Sequence, residues 1–253
     1  MNQPPLLRLL AVLAVVLAGC ASPAPVMSSG VAGVLPSPDA VTFTVLQMND
    51  VYEITPVEGG QAGGLARVAG LRAQLLAQDP NTLTVLAGDY LSPSALGTAR
   101  VDGERLAGKQ MVAVLNALGL DAAALGNHEF DVSEEAFAAR MAESDFAVIS
   151  ANALQADGTP FPNVARRAVL PVVVAPGDTV RVGLASVVLP STVKDWIHYL
   201  DAETDVVLAP PHQAFADDAT AAATIPGIDA VLGGHEHENV RALRGPRMVP
   251  VLK

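Results

Sequence analysis

Hydrophobic positions along the chain switch repeatedly between a period of two and a period near 3.6. Residues 41–48 alternate Val, Phe, Val and Leu with polar residues, which predicts a strand. Residues 62–78 place Leu65, Val68, Ala69, Leu71, Leu75 and Leu76 at helical spacing. A short apolar run at 82–87 predicts a second strand, 106–118 a second helix and 121–125 a third strand. Asp131 and Glu134 have capping-box spacing, which predicts a helix opening there and running through Glu143. Strands are expected at 146–150, 168–174, 180–188, 206–209 and 228–232, a helix at 213–223, and a last strand at 248–252. This is an α/β rhythm, βαβαβ at first and with more direct β–β connections later.

The polar residues between these elements sit in a particular place. Asn49-Asp50 follows the first strand, Gly88-Asp89 the second, and Gly126-Asn127-His128-Glu129 the third. His212 follows the 206–209 run, and Gly233-Gly234-His235-Glu236-His237 follows the strand at 228–232. In open α/β sheets the carboxyl ends of strands converge on one crevice where ligands bind. Asp, Asn and His are the oxygen and imidazole ligands that divalent Zn, Mn, Fe or Co accept. A single Gly-Asp, or one histidine, would carry little; the ordered set D-x-Y, GD, GNHEFD, H and GGHEH is specific.

Composition narrows the chemistry. Of 253 residues 51% are hydrophobic but only 4% aromatic, which suits Ala-rich helices packed on Val and Leu strands. The net charge is −11 with no basic run, which argues against a nucleic-acid-tracking surface. An anionic substrate is then compatible only if bound cations reverse the local field. At the amino end Arg8 precedes an apolar run at 9–18, too short to span a bilayer as a helix, and then Leu17-Ala18-Gly19-Cys20. These residues resemble a bacterial lipoprotein signal, which implies residues 1–20 as signal peptide and lipidation of Cys20. The alternative is an ordinary secretory signal with a nearby cysteine. Cys20 is the only cysteine, so intrachain disulfides are excluded. Residues 21–40 read as a flexible Ser/Pro/Gly-rich tether, and 41–253 as one folded domain. The expected location is the bacterial cell envelope, lipid-anchored and facing the periplasm, or else secreted.

The segments NDVYEI, AGDYLSPS, LGNHEFD and GIDAVLGGHEHE resemble those of the calcineurin-like metallophosphoesterase superfamily, and within it the 5′-nucleotidases, from about Val41 to about Val240. The resemblance implies a four-layer α/β/β/α sandwich with two divalent metal ions (Zn, Mn, Fe, Co or Mg) at the sheet edge. It implies that Asp89 bridges the metals, that Asp50 and His237 hold the first, and that Asn127, His212 and His235 complete the second. It also implies that His128 contacts the scissile phosphate and assists the leaving group, with Asp131 orienting it. Physically, a metal pair neutralises phosphoryl oxygens and makes a hydroxide from water at neutral pH, while a histidine can protonate a leaving alkoxide. Asp131 also suits a helix N-cap. Glu129 is read as structural, Asn49 as a turn residue, Glu236 and Glu238 as solvated, and His198 as a surface or core histidine.

Two features depart from the family. Tyr52 stands where most members have a metal-binding histidine; it could coordinate as phenolate, hydrogen-bond to a metal-bound water, or leave the first metal under-coordinated. The chain ends at Lys253 inside an expected strand, where family members continue into a domain that holds the nucleoside, so a C-terminally incomplete sandwich with an exposed last strand is expected. The expected activity is a metal-dependent nucleotide phosphomonoesterase. The alternatives are a cyclic-nucleotide phosphodiesterase of the same fold, or a catalytically impaired, lipid-anchored metal-binding domain. The expected partners are a small phosphate ester and, through the lipid, a membrane.

Overall fold

The computed structural model describes residues 41–175, 177–188 and 203–253. The expectations for the signal, Cys20, the tether and His198 fall outside the described residues. Among those described, no helix is long and apolar enough to cross a membrane.

The first half of the domain builds a parallel sheet. Strands β1 (Thr44–Met48) and β2 (Thr82–Ala87) are followed by a small hairpin of β3 (Arg100–Val101) and β4 (Glu104–Arg105), then by β5 (Ala122–Ala124), β6 (Ala147–Ile149) and β7 (Val164–Ala165). The five-stranded order is β1-β2-β5-β6-β7, every pair parallel, with Leu86 opposite Met48 and Ala123. Parallel neighbours require crossovers, and α1 (Leu65–Gln78), α2 (Lys109–Leu118) and α3 (Glu134–Glu143) supply the first three. The second half begins with an antiparallel hairpin of β8 (Arg167–Ala175) and β9 (Asp178–Ala185). It continues through β10 (Val206–Ala209), α4 (Phe215–Thr224), β11 (Ala230–Leu232), β12 (Arg241–Arg244) and β13 (Val249–Leu252), giving a mixed sheet in the order β12-β13-β11-β10-β9-β8.

Side-chain alternation along the strands explains the layering. In β2, Leu83 and Val85 face one way and Leu86 the other. In β10, Val206 and Leu208 alternate with Val207 and Ala209 in the same manner. Three apolar cores follow. The first packs Leu86, Ala123 and Val148 against Leu65, Met111, Leu115, Phe137 and Met141 of the helices. The second, between the sheets, joins Leu83, Val85, Ala124 and Ile149 to Val182, Leu184, Leu208 and Leu232. The third packs Val207, Val231 and Val251 against Ala222 and Phe215 around α4. Helices, sheet, sheet and helix are thus the four layers expected from the sequence.

Two local expectations change. The last strand is not an edge: β13 pairs parallel with β11 on one side and antiparallel with β12 on the other, so charged, partly exposed β12 forms that border of the sheet. The helix after the third strand is capped by Ser133, whose hydroxyl accepts from the Ala136 N–H at 3.2 Å, rather than by Asp131. Ser133 takes the cap because the Asp131 carboxylate is engaged elsewhere.

Candidate metal centre

The strand-end residues do converge. Asp50 and Asp89 each lie two residues beyond a strand of the first sheet, Asn127 opens a 3-10 turn (Asn127–Asp131) after β5, and His212, His235 and His237 follow β10 and β11. Asp50, Asp89, His235 and His237 all adopt positive φ, at 53°, 59°, 93° and 54°. None is glycine, so each conformation carries strain that the surroundings must hold in place. Glycine clears the space around them: a Cβ on Gly88 (φ 79°) would come within 2.6 Å of His212 Nδ1, and one on Gly126 would meet the Asp89 carboxylate and backbone.

Asp50, Asp89 and His212 place one ligand atom each within 4.8 Å of one another. His212 is fully buried; its Nδ1 lies 2.8 Å from the Ala87 carbonyl, which directs Nε2 at the carboxylates. Nε2 sits 3.1 Å from Asp89 Oδ2 and 3.8 Å from Asp50 Oδ1, yet it makes no aligned hydrogen bond. Asn127 Oδ1 is likewise buried without a partner. Buried polar atoms are ordinarily satisfied, so a buried imidazole nitrogen that meets two carboxylates without an aligned hydrogen bond fits a divalent cation. His237 Nε2 lies 3.1 Å from Asp50 Oδ1 on the exposed side, and the His235 ring meets His212 edge-on with centroids 5.3 Å apart. The Asp50 Oδ2 atom is held by the Asn49 amide at 2.8 Å and the His235 N–H at 2.9 Å, so Asn49 does more than turn the chain.

The charge balance is tuned by these contacts. Burial works to raise the Asp89 carboxyl, but His212, the His128 N–H and Tyr52 outweigh it and hold its pKa below the ordinary aspartate value. Tyr52 donates its hydroxyl to Asp89 Oδ2 at 2.9 Å and lies 3.1 Å from His237 Nε2. Burial, then the Asp89 and Asp50 carboxylates, push its phenol well above the usual range. Tyr52 is therefore a hydrogen-bond donor to the Asp89 carboxylate. His128 Nδ1 lies 2.6 Å from Asp131 Oδ2, with Nε2 4.0 Å from Asp89 Oδ2 on the site side. The Asp131 contact pushes the imidazole above the ordinary histidine value against the effect of burial.

Three residues matter more than the sequence suggested. Glu129 is completely buried and accepts four backbone N–H groups: Asp89 (2.9 Å) and Gly126 (2.5 Å) on Oε2, Tyr90 (2.7 Å) and Leu91 (3.1 Å) on Oε1. It clamps the loop that carries Asp89 to the loop that carries Asn127 and His128. Burial first, then Asp89, pushes its carboxyl upward, and the N–H groups pull against them. Glu236 is not a solvated flank: it accepts from the Phe215 N–H and pairs with Lys253. Lys253, at the carboxyl end of β13, obeys the same strand-end rule that singled out the other polar residues and could have been found by it.

The family model for calcineurin-like phosphoesterases matches residues 43–239. Human 5′-nucleotidase is 30% identical over 233 residues, covering 80% of this chain and 39% of that protein. The chain thus spans about two fifths of the length of this curated relative. The crystal structure of the calcineurin-like phosphoesterase YfkN from Bacillus subtilis superposes with a TM-score of 0.65 at 23% identity, covering 83% of this chain and 80% of that one. That of a 5′-nucleotidase precursor from Thermus thermophilus gives 0.68 at 22% identity over 83% of this chain and 48% of that one. At such identities the structures speak for the fold. With most of its described length matched by the family model and a carboxylate–histidine cluster at the strand ends, the chain belongs to the calcineurin-like phosphoesterase family.

Proposed function

We propose that the protein is a metal-dependent phosphoric ester hydrolase acting on nucleotides as a phosphomonoesterase. The observation that carries this reading is the convergence of Asp50, Asp89 and His212 beside a His128–Asp131 pair at one sheet edge. Nucleotides are proposed as substrates because relatives in human and Thermus thermophilus are 5′-nucleotidases. Asp50, His237 and Asp89 would hold one cation, and Asp89, Asn127, His212 and His235 the other. Asp89 suits the shared position because it faces His212 and Tyr52 on one oxygen and the His128 N–H on the other. Bound divalent cations supply charge for the phosphoryl oxygens and acidity for water.

The chain's own residues do the rest. Asp131 accepts the Nδ1 proton of His128, which fixes the ring and leaves Nε2 turned to the site. Its raised pKa favours the protonated ring, whose Nε2 can deliver a proton to a leaving alkoxide. Tyr52, in the position of a usual ligand, orients Asp89 through its hydroxyl. Anchoring to the cell envelope through Cys20 is part of the same proposal and rests on the lipobox resemblance.

The test strips the full chain of metal, reloads it with Mn or Zn, and measures phosphate release from nucleoside monophosphates and an aryl phosphate, and ring opening of cyclic nucleotides. Release from these supports the reading. Cleavage confined to cyclic nucleotides would move the assignment to a phosphodiesterase. No turnover on any phosphate ester, with one ion or none bound, would leave an inactive metal-binding domain.

A further inference from the structure

We infer that Lys253 is a positioning residue for the metal-binding histidines, its ammonium tying the segment of His212 to the loop of His235 and His237. The inference rests on the proposed metal role of those histidines. The Lys253 side chain is 1% exposed. Its Nζ donates to the Gln213 carbonyl at 2.6 Å, and it pairs with Asp218 Oδ2 at 2.8 Å and with Glu236 Oε2. The ammonium thus makes one hydrogen bond and two ion pairs, each to a different segment.

Those segments carry the site. Gln213 follows His212 directly, and its side-chain amide donates to Asp218 Oδ1 at 2.9 Å on α4. Glu236 lies between His235 and His237, and its other oxygen accepts the Phe215 N–H. The two flanking histidines have positive φ and need an external tether to stay there; the Glu236 carboxylate, held at both ends, is that tether. The backbone just after β11 is pressed on the same cluster: a Cβ on Gly233 would come within 2.5 Å of Asp218 Oδ2 and 2.9 Å of Lys253 Cε. Burying an ammonium is costly unless it is fully paired, and an apolar side chain of similar volume would commonly pack as stably. What the charge adds is a fixed geometry among three segments that an apolar contact would leave free to slide. Among the described residues the Lys253 ammonium meets Gln213, Asp218 and Glu236, so it acts on the ligands through them.

The experiment compares metal binding of the full wild-type chain with Lys253→Met, Lys253→Arg and Glu236→Gln. Each stripped protein is titrated with Zn by calorimetry and with Co(II) by visible absorption; circular dichroism and melting of the metal-free chains report folding. Lys253→Met is expected to bind about 10- to 100-fold more weakly, the range for loss of an outer partner of a metal ligand, with an altered Co(II) spectrum. Lys253→Arg should recover part of the affinity. Glu236→Gln leaves the Asp218 and Gln213 contacts intact and should weaken binding in the same direction; it decides the matter if Lys253→Met does not fold. Wild-type affinity and an unchanged Co(II) spectrum in Glu236→Gln, or in a Lys253→Met that only melts earlier, would overturn the inference. A wild-type chain that binds metal but releases no phosphate refutes the hydrolase reading alone, because the affinity comparison stands without turnover.

Discussion

Replacing Glu129 by Gln should be among the most damaging isosteric changes in the domain. The carboxylate accepts two N–H groups on each oxygen, from Asp89 and Gly126 on one and from Tyr90 and Leu91 on the other. Glutamine keeps one acceptor oxygen and turns an NH2 group toward two of those donors. At least two buried N–H groups then lose their partner, at roughly 1–3 kcal/mol each, or about 2–6 kcal/mol in all. That is a large share of the roughly 5–15 kcal/mol that stabilises an ordinary domain. Urea unfolding of the metal-free wild type and variant measures the difference. The variant should also bind metal more weakly, because these N–H groups belong to the turns that present Asp89 and Asn127. A loss below about 1 kcal/mol with unchanged metal affinity would refute the clamp.

His128→Ala should retain its metal content and lose about 10²- to 10⁴-fold in kcat on substrates with poor leaving groups; an unchanged kcat would remove the leaving-group role. The Asp218 carboxyl is pushed up to about 6, by burial first and against the pull of Lys253 and Gln213. A raised folded-state value means that the folded chain binds this proton more tightly than the unfolded one. The resulting stability, at most about 3 kcal/mol, is fully present below about pH 4 and lost as pH rises through about 6. Asp218→Asn should therefore flatten the stability profile of the metal-free protein across that window, and a profile parallel to wild type would contradict it.

The place of the candidate site was legible because its proposed ligands obey a rule of architecture. Each follows an apolar strand, and the carboxyl ends of strands in an open sheet point to one place, so Asp50, Asp89, Asn127, His212 and His235 could be grouped before any coordinates. What stayed hidden depends on non-local pairing. Glu129 looked like a structural flank because nothing in GNHEFD tells that its carboxylate reaches back some forty residues to the loop after β2. Capping-box arithmetic put the N-cap at Asp131, two residues early, since local spacing cannot show that His128 already claims that carboxylate. Strands β3, β4 and β7 are two residues long and carry no period. The interior place of β13 follows from its register with β11 and β12, and β12 reads as Arg-Ala-Leu-Arg, too charged to suggest a strand. Tyr52 was visible as a departure, but its role as donor to Asp89 needed the distance.

A metal-dependent phosphoesterase built on Asp89 should release phosphate from a nucleoside monophosphate once the stripped chain is reloaded with Mn or Zn; the measurement is run beside Asp89→Ala with metal content determined on both. Close to two ions per chain and metal-dependent turnover are expected in the wild type, and loss of both in Asp89→Ala. Turnover that survives chelation, or survives in Asp89→Ala, would contradict it.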